Sequence, residues 1–111
     1  MKTKQADNGK NESAARKKKA VNKDILKDAN PEHYFFVQDG MVLKSVLDLS
    51  KHLDKMADDV FKHHVNEMKN DFASWIKDVF REQKLAEELL KTTDKDKTQL
   101  IILKHIIKKF S

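Results

Sequence analysis

Apolar positions change their spacing several times along the chain, and each change marks an element. His33 to Gln38 contains Tyr34, Phe35, Phe36 and Val37, an aromatic and β-branched run that predicts a strand. Asp39-Gly40 follows, and Met41, Val42 and Leu43 resume the apolar run. That order predicts a β-hairpin closed by a two-residue turn with positive φ at both turn positions. A lone hairpin is marginal in water, so helices are expected to cover it.

Downstream the spacing becomes helical. Ser45 and Asp48 form an S-x-x-D start, predicting a helix to about Met56 with Val46, Leu49, Leu53 and Met56 inward. Asp58 or Asp59 is expected to cap a shorter helix carrying Val60, Phe61, His64 and Val65. Asn70 is the expected N-cap of the next helix. Its Phe72, Trp75, Ile76, Val79 and Phe80 recur at i, i+3, i+4, i+7 and i+8, the mark of one buried face. After a break near Arg81 to Lys84, Leu85, Ala86, Leu89 and Leu90 continue the pattern. Thr93 and Asp96 suggest another box-like start, for a last helix bearing Leu100, Leu103, Ile106, Ile107 and Phe110. Ile101 and Ile102 widen its apolar surface, and Lys104, Lys108 and Lys109 complement its C-terminal dipole.

Residues 1–12 are polar and without apolar periodicity, which predicts disorder. From Ser13 to Ala29 a sparse seam of Ala14, Val21 and Ile25 runs among lysines, enough for a partly formed helix that needs a partner. Asn30-Pro31 stops it, because the residue before proline is pushed out of the helical region. The expected architecture is α+β: a flexible basic arm over 1–29, then a compact domain over 30–111 in which an N-terminal β-hairpin packs on four or five short helices.

Composition narrows the class. The 111 residues suit one domain. They are 39% hydrophobic and 37% charged, with two glycines and one proline, too few turn residues for a β-sandwich or barrel. Cysteine is absent, which excludes disulfide frameworks, thiolate metal sites and cysteine nucleophiles. No run approaches the roughly 18 apolar residues of a membrane span, and the polar start from Met1 to Lys10 does not resemble a signal peptide. A cytoplasmic location without a membrane partner is expected.

Charge is distributed unevenly. Residues 1–24 carry eight bases (Lys2, Lys4, Lys10, Arg16, Lys17, Lys18, Lys19 and Lys23) against three acids (Asp7, Glu12 and Asp24). Their net of +5 equals that of the whole chain, so the remainder balances. A basic segment beside a neutral body suits attraction to a polyanion, and equally a solubilising tail. Lys10, Arg16, Lys17, Lys18, Lys19 and Lys23 are the candidate nucleic-acid contacts.

The five histidines raise the question of a metal site. His63 and His64 are adjacent and diverge by about a hundred degrees on a helix, and either paired with Glu67 makes only two ligands. No metal and no cofactor are expected. No nucleophile elbow, phosphate-cradling glycine loop or zincin spacing occurs. His64, Asp71 and Trp75 can meet in a cleft, but Asp71 also suits a helix N-terminus and Trp75 a core. Tyr34, Phe35 and Phe36 can stack bases from a strand, but core packing suits them better because no basic residue lies between His33 and Met41. Asn11-Glu12-Ser13 matches a glycosylation sequon, without meaning in a chain that is not secreted.

One block is more specific. Phe36 with Asp39-Gly40, the Leu47–Leu49–Leu53–Met56 stretch, Phe61-x-x-His64-Val65, and Asn70-Asp71-Phe72-x-x-Trp75-Ile76-x-x-Val79-Phe80 followed by Leu85-Ala86 stand in that order. From Tyr34 to about Leu90, roughly half the chain, the sequence resembles a family of small prokaryotic domains of unknown function seen especially in archaea. The resemblance implies a prokaryotic, chiefly archaeal, cytosolic protein and implies no activity. It marks His64, Asn70, Asp71 and Trp75 as a shared surface or packing set. The basic segment and the Lys-rich last helix lie outside it. The expected function is a non-catalytic accessory module that docks on nucleic acid or a ribonucleoprotein through its basic segment. The alternatives are a protein-interaction module using the Trp75 face or the apolar last helix, and a small enzyme with a His/Asp cleft.

Overall fold

The computed structural model describes residues 26–109, where two small antiparallel hairpins are set among five α-helices. A short 3-10 turn at Pro31–His33 leads into β1 (Phe35–Phe36), which pairs with β2 (Val42–Leu43). Then come α1 (Val46–Leu53), α2 (Asp58–His64), the hairpin β3 (Val65–Asn66) and β4 (Lys69–Asn70), α3 (Asp71–Phe80), α4 (Gln83–Leu89) and α5 (Lys95–Lys109). The basic residues Lys10, Arg16, Lys17, Lys18, Lys19 and Lys23 lie outside the described residues, as does Phe110.

The first hairpin pairs Phe35 with Leu43 and Phe36 with Val42. Its turn is not the expected two-residue one. The Val37 N–H donates to Met41 O at 2.8 Å, so the loop holds Gln38, Asp39 and Gly40, and of these only Gly40 has positive φ, at 96°. The Gly40 N–H closes back on Val37 O at 2.9 Å, the pattern of a turn followed by a left-handed glycine. Asp39 helps by accepting the Met41 N–H on Oδ1 at 3.0 Å.

Ser45 caps α1, its Oγ accepting the Asp48 N–H at 3.1 Å, while Asp48 Oδ2 accepts the Lys44 N–H at 3.0 Å. The helix ends at Leu53, short of Met56, which is nonetheless buried in the following turn. Neither Asp58 nor Asp59 is the cap of α2. Ala57 holds that position without a side-chain bond, and both acids sit in the first turn, where they favour the positive end of the helix dipole. Asn70 does cap α3, accepting the Ala73 N–H on Oδ1 at 2.9 Å. The α3 helix stops at Arg81, the one described non-glycine residue with positive φ, at 60°. Asp94, not Thr93, opens α5: its Oδ2 accepts the Lys97 N–H at 2.8 Å, and its own N–H is held by Thr92 Oγ1 at 3.0 Å.

The sequence pattern does not predict the hairpin β3–β4. This hairpin places Val65 on a strand instead of the end of α2, pairing it with Asn70, and Asn66 with Lys69. Asn66 builds the turn from both ends, donating to Lys62 O and accepting the Met68 N–H, each at 2.9 Å.

The core is a single cluster. Leu43, Val46, Leu49, Leu53, Phe61, Val65, Phe72, Ile76, Leu85, Leu89 and Ile102 are its fully buried side chains. The last helix turns a different face inward than its apolar pattern suggests. Ile102 and Thr98 are buried, while Leu100, Leu103 and Ile107 point outward. Leu90 is likewise exposed. α5 lies against α1 and α4, and Gln99 Nε2 ties it to Ser50 O at 2.8 Å and to Asp54 Oδ1 at 2.6 Å.

Leu26 and Ala29 already pack against this core, and the Ala29 N–H donates to Lys44 O at 2.7 Å. Removal of residues 1–24 is therefore expected to preserve a cooperative thermal transition, since it leaves these contacts in place. A circular-dichroism melt of residues 25–111 checks this. Loss of the transition would make the removed segment part of the folding unit.

Candidate functional site

Three of the four motif residues sit at or beside the junction of α2 with α3. His64 ends α2 and Asp71 begins α3, and the β3–β4 hairpin between them doubles the chain back. Residues seven apart thus meet, with His64 Nδ1 3.0 Å from Asp71 Oδ2. The other ring nitrogen, Nε2, lies 3.0 Å from the Gln38 backbone N–H. A backbone N–H only donates, so Nε2 is the acceptor and the network assigns the proton to Nδ1, which donates to Asp71. Only the neutral ring can make both bonds.

Asp71 also accepts from Lys69 Nζ, again at 3.0 Å on Oδ2. Burial pushes its carboxyl up, but hydrogen bonds from His64 and Lys69 and the neighbouring positive charge outweigh this and hold it below the usual carboxylate value. A depressed carboxyl stabilises the fold above its unfolded pKa of about 4, and that contribution is lost as pH falls through the folded value. Asp71→Asn should cost about 1 to 2 kcal/mol at neutral pH by removing a charged acceptor. It should also leave stability less dependent on pH below about 4 than in the parent. Urea unfolding at neutral pH and at several acidic pH values reads both effects, and parallel curves for the two proteins would count against this role.

Asn70 and Trp75 are engaged in the same manner. Beyond capping α3, Asn70 donates from Nδ2 to Leu89 O at 3.2 Å, joining α3 to the end of α4. Trp75 is buried, and its Nε1–H donates to His33 O at 2.7 Å. Phe35 reaches from β1 into the middle of this group, with ring centroids 5.1 Å from His64, 5.0 Å from Phe72 and 5.6 Å from Trp75. The first hairpin is therefore fastened to the helices by Phe35, the Gln38 N–H and His33 O together. His64, Asn70 and Trp75 spend their polar atoms on other parts of the chain, and Asp71 alone of the four is partly exposed. The arrangement serves as a cross-link between elements.

A second polar cluster had no warning in the sequence beyond the break in periodicity around it. Glu82 is buried, and its Oε1 meets His105 Nε2 at 3.2 Å and Lys109 Nζ at 3.3 Å. This clamps the α3–α4 turn to the end of α5. Among the described residues no group of three or more metal-ligating side chains converges. Phe36 is exposed on the hairpin, and Tyr34 lies under Lys44 Nζ, 5.7 Å from its ring centroid. A groove of about 460 Å³ runs between α4 and α5, lined by residues including Lys84, Ile101, Lys104 and His105. A smaller one of about 240 Å³ lies beside Met41, His52 and Met56. Neither groove is lined by any of the four motif residues. No helix among the described residues is long and apolar enough to cross a membrane.

No family model, curated protein or solved structure matches the chain.

Proposed function

We propose that the protein is a cytoplasmic, non-catalytic accessory module that binds nucleic acid or a ribonucleoprotein through the basic residues of its N-terminal segment. Its motif-bearing half is proposed to belong with the small prokaryotic domains it resembles. The observation that carries the reading is the location of the charge: residues 1–24 hold a net +5, the entire excess of the chain. Within the folded part several cations are taken up internally, with Lys69 on Asp71, Lys91 on Glu88, Lys95 on Asp58 and Lys109 on Glu82. The basic segment is thus the strongest source of long-range attraction for a polyanion. It contains no aromatic residue to stack on bases, so little sequence preference is expected.

Eight bases making about four to six phosphate contacts give a slope of roughly −3 to −5 in log affinity against log salt. Titration of a fluorescent structured RNA and of duplex DNA with the intact chain at several salt concentrations measures it. A flat salt response would remove the electrostatic basis of this reading.

A further inference from the structure

The outward face of α5 carries a narrow apolar stripe that the fold does not use. Leu100, Leu103 and Ile107 are 51%, 38% and 68% exposed, and their spacing of three and four residues sets them in one line along the helix. The line lies well away from Ile102 and Thr98, which face the core. On one border stand Lys97 and Lys104, neither with an ionic partner among the described residues. The other border has Gln99 and Ile106, and Asp96, the lone acid of the helix, stands one turn before Leu100 and ends the apolar line.

This pattern of apolar and charged positions discriminates among occupants. A stripe this narrow is the seam of a helix pair; helices that lie in a bilayer surface bury a broader face. A second copy of the chain fits poorly. With Leu100 and Leu103 as the a and d positions, Lys97 and Lys104 take e, and Gln99 and Ile106 take g. Two antiparallel copies oppose lysine to lysine, and two parallel copies oppose Lys104 to Gln99, so neither pairs opposite charges across the e and g positions. The chain's own residues 13–25 are unsuited for the same reason, with five bases against the single acid Asp24. We propose that this face of α5 docks an amphipathic helix of a different protein, one whose apolar stripe is bordered by Asp or Glu.

The test uses the full chain and labelled synthetic peptides about three heptads long. One has Leu at a and d with Glu at e and g. A second keeps the Glu residues but has Ser at a and d, so that attraction to the basic segment is the same for both. A third has Leu at a and d with Lys at e and g. By fluorescence anisotropy the Leu/Glu peptide should bind at least about tenfold more tightly than the Ser/Glu peptide. Leu103→Ser with Ile107→Ser, both on exposed positions, should erase that difference. Lys97→Glu with Lys104→Glu should turn the preference toward the Leu/Lys peptide. Equal binding of the Leu/Glu and Ser/Glu peptides, or a difference that survives the serine variant, would overturn the proposal. So would sedimentation as a dimer that the serine variant dissolves, which would make a second copy the occupant. Stripe-dependent binding to phosphatidylserine vesicles without a peptide preference would overturn it in favour of a membrane.

Discussion

Trp75→Ala should lower stability by about 3 to 5 kcal/mol, the usual cost of emptying a large buried aromatic site. The indole is enclosed between Phe35 and Phe80, with ring centroids at 5.6 and 5.1 Å, and gives its N–H to His33 O. Truncation thus opens a cavity, frees the underside of the first hairpin and leaves a carbonyl without its donor. For a domain of this size such a loss moves the midpoint of a thermal melt down by roughly 15 °C or more. Trp75→Phe separates the terms. It keeps most of the ring packing and loses the hydrogen bond, so its cost should be nearer 1 to 2 kcal/mol. Should Trp75→Ala instead melt like the parent while abolishing binding to a partner, Trp75 would be an interface anchor and its place in the core would be wrong.

The second large effect concerns binding. Arg16, Lys17, Lys18 and Lys19 are consecutive and make up half of the bases in residues 1–24. Changing all four to alanine should flatten the log–log salt slope by about 3 to 4 if all four engage phosphates. The change lies outside the described residues, whose contacts it leaves in place, so the melt should not move. A slope that stays at the parent value would mean that other cations carry the contacts, with Lys97 and Lys104 of α5 the first to examine.

How much of this was legible in the sequence depended on the range of each interaction. The inward face of α3, with Phe72, Trp75, Ile76 and Phe80 buried, was readable from period alone, and so was its Asn70 cap. Local signals failed where two neighbouring residues offered the same chemistry. Asp94 caps α5 although Thr93 and Asp96 mimic a start, and Ala57 takes the cap position although Asp58 and Asp59 carry the capping chemistry. The β3–β4 turn, Glu67-Met68, has no glycine or proline to announce it; Asn66 supplies the turn chemistry through its side chain. In α5 the run Leu100-Ile101-Ile102-Leu103 offers apolar residues on every side, so period cannot choose the buried face. The choice falls to Ile102 and Thr98 because α1 and α4 approach from that side. The motif block was visible as a string of residues, whereas its role as a cross-link was not. Gln38 and His64 are 26 residues apart, Trp75 and His33 are 42 apart, and no short-range pattern encodes such partners.

The proposal that polyanion binding belongs to residues 1–24 meets its most direct test in a paired titration. The same fluorescent structured RNA is titrated at low salt with the intact chain and with residues 25–111, both shown by circular dichroism to be folded. The intact chain should bind, weakening steeply as salt is added, and the shorter one should bind little or not at all. Equal affinity of the two proteins would contradict the proposal and place the nucleic-acid surface on the folded body.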